Sequence, residues 1–318
     1  MSDTLPPSGP SGAPIGEGEF RSLFAAVSNW GAWGEADERG TLNYLDASRV
    51  RAATGLVQSG ESVSLSRPLD TETGIGNPEP ALHWMTMLGD TDIGSGPLRF
   101  AKDFVGADYH NEGHTHLDAL CHVEFDGLLY NGRPSESVTS QGAAFNTVEA
   151  MRHGIVGRGI LLDVPRTRGI PWLEPGEQIL TEDLERAERE QHVEVAEGDI
   201  LLVRTGHARR CAEAEPWDAS RSKAGLHPTV ARWLAERRVA VLGSDGNSDA
   251  APSAAEGVAY PIHALALNAM GLPLLDYLQF EDLLDHCERD ERWEFLFMAS
   301  PLRIIGGTGS PLNPLAVL

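Results

Sequence analysis

The sequence predicts an α/β protein, a single domain whose central mixed β-sheet is flanked by helices. Three observations carry that expectation. The middle of the chain alternates strand, helix, strand, helix, strand, and such alternation buries strands between helices. The strand segments there, "GIVGRGILLDVPR", "GDILLVRTG" and "VAVLGSDG", are near-continuous apolar runs of the kind covered on both faces. Finally, 318 residues with 41% apolar content suffice for one large core, and no internal repeat, heptad run or interdomain linker divides them.

Taken in order, residues 1–18 are rich in Pro, Gly and Ser and read as a flexible arm, with residues 19–318 as the domain. The arm has neither the basic nor the apolar region of a signal peptide. "EFRSLFAAVSNWGAW" gives a short helix stopping near Asn29. A second helix follows Asp46, its expected cap, with Val50 and Ala53 facing inward. "SVSLSRPL", "LHWMTML" and "RFAKDFVGADYH" are strand-like, each bounded by Gly, Asp or Pro. Next come the β-rich run at 154–166, the charged helix "TEDLERAEREQ" with Thr181 as its expected cap, and the strand in "GDILLVRTG". The amphipathic helix "HPTVARWLAERR" then leads into the strand of "VAVLGSDG". The longest uncharged run, Gly257 to Leu275, approaches bilayer length, but Pro261, Pro273, His263 and Asn268 exclude a membrane span.

Charge and cysteine usage bound the function. A formal charge of -22 repels nucleic acid and anionic membranes, which leaves small-molecule chemistry as the expectation. Cys121, Cys211 and Cys287 fall at unrelated spacings that suggest neither a disulfide framework nor a paired-cysteine metal site, so a reducing, cytoplasmic setting is expected. No GxSxG nucleophile elbow occurs. "GGTGSP" lacks the lysine and following helix of a phosphate loop and reads as a turn.

The chemistry concentrates in "DYHNEGHTHLDALCHVEFDG", where four of the eleven histidines fall between His110 and His122. If residues 110–118 are extended, a period of two places His110, Glu112, His114, His116 and Asp118 on one face. Imidazole nitrogen with carboxylate oxygen suits Zn, Mn or Fe, and burying such a cluster without a compensating cation is costly. His116 with Asp118 is the firmest metal pair. His122, four beyond Asp118, is placed for proton transfer, since an imidazole titrates near neutral pH. Cys121 reads as a packed thiol. Asp245, Asn247 and Asp249 follow a buried strand, where an α/β sheet presents its site, and read as pocket lining.

"GHTHLDALCH" resembles the HxGTHxDxPxH signature of the metal-dependent cyclase family, which includes kynurenine formamidases and isatin hydrolases. "NWGAWGEADERGTLNYL", "DGLLYNGRP", "WLAERRVAVLGSDGNSD" and "PLRIIGGTGSPLNPLAV" extend the likeness to about residues 28–318, in a longer actinobacterial-type branch. The resemblance implies the family's swivelling β/β/α-like fold, with His116 and Asp118 as metal ligands and His122 as acid/base. Glu112 stands where the family has its first ligand histidine, so His110, His114 and Glu112 compete for that position. His263 matches the histidine of a second metal site in some members, with Asp276 near the place of its acid. The implied activity is hydrolysis of a small amide, lactam or ester by metal-activated water, with Zn or Mn as the metal. A cyclase or dehydratase, or a non-catalytic binding protein, would use the same fold. Dimers or tetramers are common in the family, and Trp30 and Trp33 are then expected to serve a neighbouring subunit.

Overall fold

The computed structural model describes residues 12–90, 92–94 and 96–318. Residues 1–11 of the expected arm lie outside them. Residues 15–18 are docked rather than free: Ile15 is buried, its amide donates to Ala254, and helix α1 (Glu17–Val27) starts at once. Phe20, Leu23 and Val27, three and four apart, give α1 one buried stripe. Helix α2 (Ala47–Thr54) has the predicted cap, with the Asp46 carboxylate accepting from the amides of Ser48 and Arg49, and buries Ala53.

Strand β1 (Ser62–Ser64) precedes a separate antiparallel hairpin, β2 (Leu82–Leu88) with β3 (Ala101–Gly106). Then come β4 (His116–Asp118), β5 (Ile155–Asp163), β6 (Ile200–Arg204), β7 (Val241–Ser244), β8 (Leu274–Asp276), β9 (Glu294–Ala299), β10 (Gly309–Pro311) and β11 (Leu315–Val317). Nine of these strands form one mixed sheet in the order β1–β11–β9–β5–β6–β7–β8–β4–β10. The run β5 to β8 is parallel and both wings are antiparallel.

Alternation along the central strands divides the core into two layers. Ile160, Leu162, Leu201, Val203, Leu242 and Leu274 pack with side chains of α1, α3 (Thr181–Glu190) and α4 (Val230–Arg237). Their sequence neighbours Leu161, Ile200, Leu202, Val241 and Leu275 pack on the other face with α5 (Glu281–Asp290). The apolar strands thus become a single-domain α/β core.

Local expectations fail at two places. Thr181 is not the cap of α3: Leu180 holds that position, and the Asp183 carboxylate accepts the Leu180 amide at 2.9 Å. A charged acceptor one turn in replaces the hydroxyl. Trp30 donates its indole N–H to the Asn268 carbonyl of its own chain at 2.7 Å. "GGTGSP" is a turn only as far as Thr308, because Gly309–Pro311 joins the sheet as β10. The uncharged run folds as a short helix, Pro261–His263, a π-helical segment, Ala264–Met270, and strand β8. Among the described residues no helix is long and apolar enough to cross a membrane.

Candidate metal centre

The β8–β4–β10 wing positions the site. Register pairs His116 with Asp276 on one side and Pro311 on the other, and pairs Asp118 with Leu274 and Gly309. His116, Asp118 and Asp276 therefore share a buried face of the sheet, and each offers a ligand atom within 4.8 Å of the others.

Extended structure covers only residues 116–118 of the expected 110–118. The Asn111 side chain accepts the Gly113 amide at 2.8 Å, folding the chain into a turn. A Cβ at Gly113 would stand 2.3 Å from Asn77 Oδ1, so a larger residue there would displace that side chain. This turn breaks the period of two and separates the candidates for the first ligand. His110 is brought in, with Nδ1 2.8 Å from Asp118 Oδ1. His114 is not: its buried ring directs Nε2 to the Glu79 carbonyl at 3.3 Å. Glu112 is turned towards Lys223, with 3.8 Å between carboxylate and ammonium.

Around Asp118 stand four imidazoles. His116 Nε2 lies 3.5 Å from Oδ1, His122 Nε2 lies 4.0 Å from Oδ1, and His263 Nε2 lies 3.4 Å from Oδ2. His263 Nε2 is also 3.5 Å from Asp276 Oδ2, placing Asp276 in the cluster. The His110 and His122 rings stack in parallel, 3.9 Å between centroids. His122 does not sit on a helix; its amide closes a turn onto the Ala119 carbonyl.

The polar atoms at the centre fit a cation. Both Asp118 oxygens, Asp276 Oδ2 and His110 Nδ1 are buried without a hydrogen bond, although His110 Nδ1 and Asp118 Oδ1 are close. Two carboxylates at this separation do not both ionise easily unless positive charge compensates them. Burial pushes the Asp118 carboxyl up, but the imidazoles, His122 and His116 foremost, hold it well below the usual range. Burial, aided by the charge of Asp118, raises Asp276. Burial lowers His122 to about 4 and keeps its ring neutral.

Outer partners orient the ring nitrogens. His116 Nδ1 donates to the His114 carbonyl at 2.8 Å, and His263 Nδ1 donates to Asp249 at 2.6 Å, leaving each Nε2 lone pair for the centre. His110 Nε2 is held by Thr308 Oγ1 at 3.1 Å. Asp249 also accepts the amides of Ile262 and His263, fixing the start of that short helix. Asp245 faces away from the centre and binds the amides of Thr205, Gly206 and His207. Asn247 lines the cavity. Burial pushes the Cys121 thiol up to about 12, in keeping with a packed group. Sequence reading had no signal for Thr308 or Lys223, since each becomes relevant only through a distant strand pairing.

These groups open onto a cavity of about 300 Å³ lined by His110, His116, His122, His263, Lys223 and Tyr277, among others. A larger cavity of about 610 Å³ lies elsewhere, against Leu69, Val105, Leu302 and Leu312, and lacks comparable chemistry.

Residues 63–249, more than half of the chain, match the cyclase family, described as "Putative cyclase". A crystal structure described as a novel cyclase is 33% identical, with a TM-score of 0.85 over 93% of this chain and 99% of that one. Isatin hydrolase A from Labrenzia aggregata, bound to benzyl benzoate, is 22% identical, with a TM-score of 0.59 over 83% of this chain and 94% of its own. Isatin hydrolase A from Ralstonia solanacearum is 23% identical, with a TM-score of 0.58 over 85% and 95%. At such identities the two isatin hydrolases share the fold. No curated protein matches the chain. The matched segment contains β4 and the parallel strands β5 to β7, so the core of the sheet and the histidine-rich turn are those of the cyclase family, to which this chain belongs.

Proposed function

We propose that this protein is a metal-dependent hydrolase of a small amide, lactam or ester. One observation carries the reading: buried carboxylate oxygens of Asp118 and Asp276, without hydrogen bonds, face imidazole nitrogens at the floor of a small cavity. His110, His116 and Asp118 would hold one divalent ion, Zn or Mn, and Asp118, His263 and Asp276 a second. An ion there supplies Lewis-acid polarisation of a carbonyl and lowers the pKa of water. His114 is not part of this ligand set.

His122 takes a proton from the attacking water and returns it to the departing nitrogen or oxygen. The water oxygen becomes bonded to the carbonyl carbon as the carbon–nitrogen or carbon–oxygen bond breaks. Asp249 and Thr308 keep the rings of His263 and His110 from rotating out of place. The resemblance to kynurenine formamidases makes aryl formamides the first substrates to try. Metal analysis followed by turnover of formamide, lactam and ester panels in ¹⁸O-water tests the reading. Label in the product supports hydrolysis. Unlabelled product under full turnover would favour the cyclase or dehydratase alternative, and less than a fraction of an equivalent of metal with no activity would favour a binding protein.

The working unit is a homo-oligomer. Hairpin β2–β3 exposes Leu82, Trp84, Met85, Leu88, Phe104 and Val105, and a two-stranded ribbon is marginal by itself. Sedimentation is expected to show a dimer or tetramer, and Trp84→Ser with Leu88→Ser to shift it towards monomer. A monomeric parent protein would refute this assignment.

A further inference from the structure

Another wall of the same cavity carries polar groups that the hydrolytic step leaves unused. Lys223 is only 3% exposed, and its amide and carbonyl are both hydrogen-bonded to Ala251, which fixes the origin of the side chain. Its Nζ stands 3.8 Å from Glu112 Oε1 and 5.4 Å from the Tyr260 ring centroid. The first distance is too long for a hydrogen bond. Among the described residues this ammonium, with three donors to place, makes no hydrogen bond to a side chain or carbonyl.

Tyr277 lines the same cavity, is 2% exposed, and has no hydrogen-bond partner for its hydroxyl. Its backbone is left-handed, at φ 56°, an unfavourable conformation for an aromatic residue. Two bonds maintain it: Tyr277 N donates to the Gly246 carbonyl at 2.9 Å, and Thr115 Oγ1 donates to the Tyr277 carbonyl at 2.6 Å. Asn247 commits its Oδ1 to the Asp249 amide at 3.0 Å, leaving its NH₂ for the cavity.

We propose that Lys223, Tyr277 and Asn247 form an anion subsite, and that the substrate carries a carboxylate in addition to the bond that is cleaved. Glu112 balances the charge of the ammonium without taking its hydrogen bonds, so the subsite offers donors to a singly charged acceptor and disfavours a multiply charged group such as phosphate. All three donors line the one cavity, and a carboxylate is an acceptor for each. The charged and ring contacts of Lys223 are Glu112 and Tyr260, neither of them in the His–Asp cluster. Lys223 thus shares the cavity with the histidines while its own partners lie outside the ligand set, which assigns it to a substrate group other than the bond that is cleaved.

The inference rests on the metal-centre reading for the place of the cleaved bond, and calorimetry separates the two. Benzoate and the three benzenedicarboxylate isomers, which set two carboxylates at increasing separations, are titrated into metal-loaded protein. At least one isomer is expected to bind about tenfold more tightly than benzoate. Lys223→Met should remove that advantage, Lys223→Arg should restore part of it, and Tyr277→Phe should weaken the dicarboxylate more than benzoate. No preferred isomer, or an advantage that survives in Lys223→Met, would overturn the subsite. Should Lys223→Met fail to fold, as judged by its melting transition, Tyr277→Phe makes the same comparison. Failure of the protein to take up metal would count against the hydrolase reading alone. The Lys223→Met comparison in metal-free protein then decides the subsite: weakened dicarboxylate binding supports it, and unchanged binding overturns it.

Discussion

Asp118→Asn is expected to abolish stoichiometric metal binding and to cut turnover by roughly three orders of magnitude. Asp118 is common to both proposed ligand sets, His110–His116–Asp118 and Asp118–His263–Asp276. Both of its oxygens are buried without a hydrogen bond, so both remain available to a cation. Asparagine keeps the volume but offers one neutral oxygen and turns an NH₂ donor towards the centre. Stability adds a second readout. A ligand that binds only the folded state stabilises it by about 2.7 kcal/mol at a hundred times its dissociation constant. Zn or Mn should therefore raise the melting temperature of the parent protein and leave that of Asp118→Asn unchanged. Without metal, the variant should melt lower than the parent at neutral pH, because the surrounding imidazoles that hold the Asp118 carboxyl well below its usual range stabilise its ionised form, and the substitution removes that charge from the buried cluster. Elemental analysis with scanning calorimetry reads both effects, and parent-like metal content in the variant would rule out Asp118 as the shared ligand.

The central sheet was legible because its signal is local. Ile160 to Leu162, Ile200 to Val203 and Val241 to Leu242 are continuous apolar runs, and in the structure alternate members enter opposite core layers. Asp46 was legible as a cap because capping needs only the next three residues. The histidine-rich stretch mixed local and distant information. His116 and Asp118 follow from the strand period, but the choice between His110 and His114 depends on the Asn111–Gly113 turn and on contacts with Asn77 and Glu79. Periodicity contains none of those contacts. The resemblance left His110, Glu112 and His114 as rivals, and the fold brings only His110 to Asp118. Hairpin β2–β3 was legible as two strands but not as a projection from the sheet, since strand propensity does not specify a partner. Lys223, more than a hundred residues from Glu112, gave no sequence signal at all.

His122→Gln is expected to keep the metal and to lose about two to four orders of magnitude in turnover. The distances distinguish this imidazole from its neighbours: His122 Nε2 is 4.0 Å from Asp118 Oδ1, against 2.8 Å for His110 and 3.5 Å for His116. It is also the most open of the cluster, with 27% of its side chain exposed against 17% for His110 and 5% for His116. A ligand benefits from close, enclosed approach, whereas a proton carrier must meet both water and substrate on the cavity side. The parallel stack on His110 holds the ring plane without occupying Nε2. His116→Ala is the control, because removing that buried nitrogen should release metal and activity together. Parallel elemental analysis and single-turnover kinetics on the two variants separate the roles. Metal lost from His122→Gln and retained by His116→Ala would make His122 the ligand, and would require the proton to be moved by another group on the cavity wall.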